Sequence, residues 1–222
     1  MMNTLPQLRI FDWRVFLETW SQEFIASVSD LDSIPTDVVE SGWLGYPGAT
    51  EEQIIQVETR LEISLPPSYR DFLKVSNGWR QMTPFIYRVW SVEEVDWFVS
   101  RHHIWIDTFI ARQLKPQKDT HTAEASANGA YRPHQVPDSE YLLYDETQDC
   151  SKIRYEYLHT ALEISDKGES SIYLLNPQIK TSDGEWEAWF FGDWLPGADR
   201  YPSFRHMMEA EYANFLEMKE IL

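Results

Sequence analysis

The chain has 222 residues, 43% apolar and 14% aromatic with 10 tryptophans; this is enough to bury a sizeable core, and it excludes a disordered chain. Nineteen Lys and Arg stand against 36 Asp and Glu, a formal net charge of -17, and no basic cluster interrupts it. That balance argues against nucleic acid and anionic membranes as partners, because binding phosphate rests on Lys and Arg displacing counterions. A basic protein is the expected partner, although acidity taken alone also serves solubility.

Cys150 is the single cysteine, so no intramolecular disulfide and no thiolate metal cluster can form, which fits a reducing compartment. The opening MMNTLPQLRIFDWRVFLETW lacks a basic stretch followed by an apolar run, and nowhere do 18 apolar residues occur in succession. The expectation is a cytoplasmic protein.

In chain order, Trp13, Phe16, Leu17, Trp20 and Phe24 recur at helical spacing between about Asp12 and Val28. The next stretch, SDLDSIPTDVVESGWLGYPGAT, reads as a connection. Residues 1–40 are thus read as an amphipathic helix with its linker, and 41–222 as the domain. Thr50 and Gln53 have capping-box spacing ahead of an Ile54, Val57, Leu61 stripe, so a second helix is expected.

LPPSYRDFLKVSNGWR follows as a third, short helix. Pro67 suits its first turn, where a missing N–H costs nothing, and Pro66 fixes the approach. Tyr69, Phe72 and Leu73 form its apolar stripe. Asn77-Gly78 stops it, with Gly78 left-handed at the C′ position and Trp79 buried against Leu73. FIYRVWS is a strand candidate, and Ser91 with Glu94 predicts a fourth helix through Phe109, bent near His102.

Residues 114–139 have almost no apolar periodicity and are read as a long loop. EYLLYD, KIRYEYLHTALEIS, SSIYLLNP and EWEAWFFGD then read as strands, and the segment from about Ser203 as a closing helix. Helices first, strands later and a final helix give an α+β order with a single, mostly antiparallel sheet flanked by helices.

Motifs for phosphate, dinucleotide, nucleophile-elbow and zinc chemistry are missing. His102 and His103 are adjacent and point about 100° apart on a helix, so one half-buried and one exposed ring are expected rather than a metal pair. Cys150 sits in the acidic ETQDCSK, which suppresses its thiolate. No cofactor and no metal are expected.

Alternation in EWEAWFFGDW puts Trp186, Ala188 and Phe190 on a core face and Glu185, Glu187, Trp189 and Phe191 on a mixed one. Two carboxylates at i and i+2 lie about 7 Å apart, a spacing found in glycosidases, but those enzymes need the pair across a cleft. The mixed face is therefore read as a surface that grips Lys and Arg through ion pairs and cation-π contacts.

GWLGYPGATEEQIIQVETRLEISLPPSYRDFLKVSNGWR resembles the N-terminal half of the SUKH superfamily. The carriers are the capped helix Thr50 to Leu61, the turn Leu65-Pro66-Pro67-Ser68-Tyr69, and Asn77-Gly78. SVEEVDWF, YLLYDETQD, LLNP and GEWEAWFF extend the resemblance over about 41–210. It implies an α+β binding protein without catalysis: bacterial members are commonly immunity proteins that neutralise a cognate secreted toxin in the cytoplasm, and fungal members are hubs in cell-wall signalling.

The expectation is therefore an immunity protein that occludes a cognate, basic toxin, with Glu185, Glu187, Trp189, Asp193, Asp145, Glu146 and Asp149 as its contacts. Pro66, Pro67, Tyr69, Asn77, Gly78 and Trp79 build the scaffold. A regulatory adaptor of the cell-wall regulator type is the alternative. A carbohydrate hydrolase rests only on the carboxylate pair and the tryptophans.

Overall fold

Alternating side chains on β5 (Ser171–Lys180) and β6 (Trp186–Gly192) organise the molecule, because both of their faces are covered. The computed structural model describes residues 11–80, 83, 86–113, 136–168, 170–192 and 194–221. Positions 114–135 of the expected loop and Asp193 lie outside them. Among the described residues there are seven α-helices and two antiparallel sheets, so the fold is α+β with two sheets in place of the single one expected.

The small sheet pairs β1 (Trp79–Arg80) with β2 (Arg88–Val89). The large one runs β3-β4-β5-β6-β7, with β3 at Asp96–Trp97, β4 at Leu162–Glu163 and β7 at Ala198–Tyr201.

One sheet face carries Tyr173, Leu175, Trp186, Ala188 and Phe190 into the larger core. That core is completed by α1 (Trp13–Ser27), α3 (Glu51–Leu61), α4 (Pro67–Val75) and α7 (Phe204–Ile221). Trp13 of α1 meets Phe72 and Phe204 at ring-centroid distances of 5.5 and 5.6 Å. The helix read as lying ahead of the domain therefore packs into the same core as α4 and α7.

The opposite face carries Ile172, Leu174, Trp189 and Phe191 into a second core under α5 (Phe98–Gln113), α6 (Asp138–Tyr141) and the 3₁₀ turn Tyr155–His159. A sheet buried on both sides removes the distinction on which a core-face and surface-face reading depends.

Local signals explain most helix boundaries. Thr50 and Gln53 form the reciprocal capping box of α3, at 3.2 and 2.9 Å. Pro67 opens α4, and Tyr69, Phe72 and Leu73 are buried.

Gly78 lies one residue beyond its expected place: extended Ser76 caps α4, its N–H donating to the Phe72 carbonyl. With φ of 107°, Gly78 turns the chain into β1, and a Cβ there would sit 2.9 Å from the Val89 oxygen. Trp79 is fully buried, with Trp43 and Trp20 as its ring neighbours at 5.3 and 6.0 Å. Asn77 accepts from the Val92 N–H at 2.9 Å and so ties the helix end to the next turn.

Three expectations fail. Ser91 and Glu94 cap a turn that feeds β3, and the helix starts only at Phe98, although it is kinked at His102 as predicted. Tyr141 of EYLLYD ends the short helix α6 instead of lying in a strand. KIRYEYLHTALEIS yields only a two-residue strand after its 3₁₀ turn.

Glu211 of α7 is buried against the sheet with no cation paired to it among the described residues; the Tyr173 hydroxyl donates to it at 2.5 Å. Desolvation pushes its pKa up from 4.5 to about 6, partly offset by the bonds from Tyr173 and Asn214. The folded state thus holds this proton more tightly than the unfolded chain, so the stability contributed is full below 4.5 and is lost as pH rises through about 6. Glu211→Gln, which keeps an acceptor for Tyr173, is expected to gain about 2 kcal/mol at pH 7.5 and nothing at pH 4.5, measured by urea unfolding.

Candidate functional site

Of the seven expected contact residues, Glu185, Glu187 and Trp189 sit on or beside β6 and Asp145, Glu146 and Asp149 in the segment 145–149, while Asp193 lies outside the described residues. Glu187 is 1% exposed and Trp189 is 0% exposed, so neither forms the surface expected of it. The reason is the second core: α5, α6 and the 3₁₀ turn cover the mixed face.

Glu185 directly precedes β6, whose pairing with β5 shifts register between Trp186 and Glu187, and it turns towards α4. Its carboxylate accepts from the Ser68 N–H at 2.8 Å and the Ser68 hydroxyl at 2.6 Å. Pro66 offers no side-chain cap, so Glu185 supplies the missing acceptor at the positive end of α4 from 117 residues away. Burial raises its pKa, opposed by the Ser68 bonds. Glu185→Ala is expected to cost about 1–2 kcal/mol in urea unfolding; a residue that only met a partner would leave stability unchanged.

Glu187 is the hub of a buried polar network. Its Oε2 accepts from the Tyr141 hydroxyl at 2.8 Å, Asn176 Nδ2 at 2.8 Å and Trp189 Nε1 at 2.7 Å. Its Oε1 accepts from the Tyr144 hydroxyl at 3.1 Å and from Arg200 Nη1 at 3.3 Å. Desolvation first, and then the Glu187 charge, push the Tyr141 and Tyr144 phenols far above their ordinary range.

Arg200, on β7, lies over the Tyr141 ring at 4.2 Å and donates from Nη1 to the Tyr141 carbonyl. The Gln148 side chain clamps the same residue's backbone, accepting from its N–H at 2.7 Å and donating to its carbonyl at 2.8 Å.

The network therefore fixes the segment 141–148 to the sheet through Tyr141, Tyr144 and Gln148, which point inward. Leu142, Asp145, Glu146 and Asp149 are left exposed. Asp145 and Asp149 each accept from a hydroxyl and an N–H two residues on, Thr147 and Ser151 respectively, bonds that lower both pKa values. Both are charged at neutral pH. Glu140 pairs with Lys152 at 3.2 Å and Asp138 with Arg154 at its margin. Asp145, Glu146 and Asp149 are thus brought together on one fixed surface, and Glu185 and Glu187 are not.

The sequence reading missed Arg200 and the pairing of Glu163, also 1% exposed, with His102 and Arg101 at 3.0 and 3.3 Å. Glu163 beside Leu162 and Ile164 was the available signal, since a buried charge requires a partner, whereas Arg200 stands next to Asp199 and gave none. His102 is half-buried and His103 exposed, as expected. The Cys150 thiol is raised by burial and then by Asp199 and Asp149. Among the described residues no group of three or more His, Cys, Asp or Glu could hold a metal ion, and no helix is long and apolar enough to cross a membrane.

These features define an α+β protein whose sheet is covered on both faces and whose acidic exposed segment is anchored by a buried charge pair. Residues 48–210 match the SMI1 / KNR4 family (SUKH-1), and the chain belongs to that family. The family is generally non-catalytic and is compatible with immunity or regulatory roles. No curated protein matches the chain.

Proposed function

We propose that the chain is an immunity protein that neutralises a cognate, basic toxin in the cytoplasm by occlusion, without turnover. The acidic segment 138–149 is its contact surface. One observation carries the reading: the Glu187–Arg200 network holds Asp145, Glu146 and Asp149 outward on a rigid support, in a chain of net charge -17. A preordered acidic surface loses little entropy on binding and steers a basic partner towards it.

Co-expression tests this. The chain is expected to rescue growth of cells making the toxin encoded beside it, and the complex to survive at physiological salt. Failure of both would defeat the proposal. Binding to several cellular proteins with no neighbouring toxin would establish the regulatory adaptor role instead.

A further inference from the structure

A second surface lies across the large sheet from the acidic segment, on the side of the larger core. An open groove of about 390 Å³ runs between α1, α2 (Thr36–Ser41), the segment Trp43–Gly48 and β1. Its floor is fixed by close packing. A Cβ on Gly45 would lie 2.7 Å from the Trp43 ring, and one on Gly48 would strike the Lys74 carbonyl.

Two guanidinium groups lie over aromatic rings here: Arg14 over Trp43 at 4.6 Å and Arg80 over Tyr46 at 4.0 Å. Stacking fixes each guanidinium plane and leaves its N–H edge available in that plane, the geometry that receives a carboxylate. Arg80 shows this already, holding the exposed carboxylate of Asp37 at 3.1 Å. Arg14 reaches Glu18 only at 3.9 Å, with both side chains about half exposed, so its edge can take a further carboxylate.

Arg14, Asp37 and the segment Trp43–Pro47 all precede the matched region 48–210. The groove is thus built mostly from residues outside that match. Two stacked arginines are far fewer than a phosphate backbone requires, which disfavours nucleic acid.

We propose that this groove is a second docking site, which takes an acidic peptide segment of a protein partner between Arg14 and Arg80. The incoming carboxylate displaces Asp37 from Arg80, so Asp37 acts as an internal competitor. This site is independent of the acidic surface, and its failure would leave the toxin reading untouched.

The test is an NMR titration of the full chain with acetyl-Gly-Glu-Leu-Glu-Gly-amide, with the Lys-for-Glu peptide and decathymidylate as comparisons. The acidic peptide is expected to give saturable shifts at the Trp43 indole N–H and the Gly45 and Gly48 amides. Arg14→Gln with Arg80→Gln is expected to weaken binding at least about tenfold, one lost contact being worth about that factor. Asp37→Asn is expected to tighten it about threefold by removing the competitor, an effect no purely structural role for Asp37 would produce. Should the double variant not fold, Arg14→Gln alone is expected to weaken binding, its ion pair with Glu18 being long and exposed. No saturable shift at these signals, an equal response to the Lys peptide, a stronger one to decathymidylate, or unchanged affinity in the arginine variants would each overturn the proposal.

Discussion

Glu187→Gln is expected to cost about 3–5 kcal/mol, the usual penalty for removing one partner of a buried ion pair. The substitution is nearly isosteric, so no cavity explains the loss. What remains is an Arg200 guanidinium in a fully buried position, with Nε and Nη2 already without a hydrogen-bond partner among the described residues. Tyr141, Tyr144, Asn176 and Trp189 also lose the carboxylate that receives their protons.

For a chain of this size that corresponds to a fall in Tm of roughly 10 °C. Adding Arg200→Met should recover part of the loss, because the uncompensated charge is then gone, and a double-mutant cycle reads the coupling directly. A loss below about 1 kcal/mol for the single variant would show that the pair does not anchor the structure.

The second large effect concerns binding. Asp145→Lys, Glu146→Lys and Asp149→Lys together change the local charge by six units on a surface whose side chains make no long-range contacts among the described residues. Stability is expected to stay within about 1 kcal/mol of the parent, since only exposed groups and two local turns are touched. Association with the proposed toxin is expected to slow at least about tenfold at low salt, because steering by the acidic surface is reversed, and the difference should shrink as salt screens it. Slower association with unchanged stability separates a contact surface from a structural one.

The contrast between these residues shows how far the sequence could be read. Asp145, Glu146 and Asp149 were legible as surface because no apolar residue interrupts the run DETQD that holds them. The α3 capping box and the Pro67 start of α4 were legible because their chemistry is local.

Glu187 and Trp189 were misread because period-two alternation reports the two faces of a strand, not what covers each face. The cover comes from α5 and the segment 136–159, distant in sequence. Glu185 looked like a neighbour of Glu187 on one face; it lies one residue ahead of β6 and bonds to Ser68 of α4 instead. The Ser91–Glu94 capping signature was real as a hydrogen-bond pattern, but pairing of Asp96 with Glu163 drew the following residues into β3.

The central claim is that the segment 138–149 is where a basic partner lands. Hydrogen exchange of the full chain, free and in complex with the proposed toxin, tests this. The complex is expected to gain protection over 140–151. Protection elsewhere, with 140–151 exchanging as in the free protein, would contradict it.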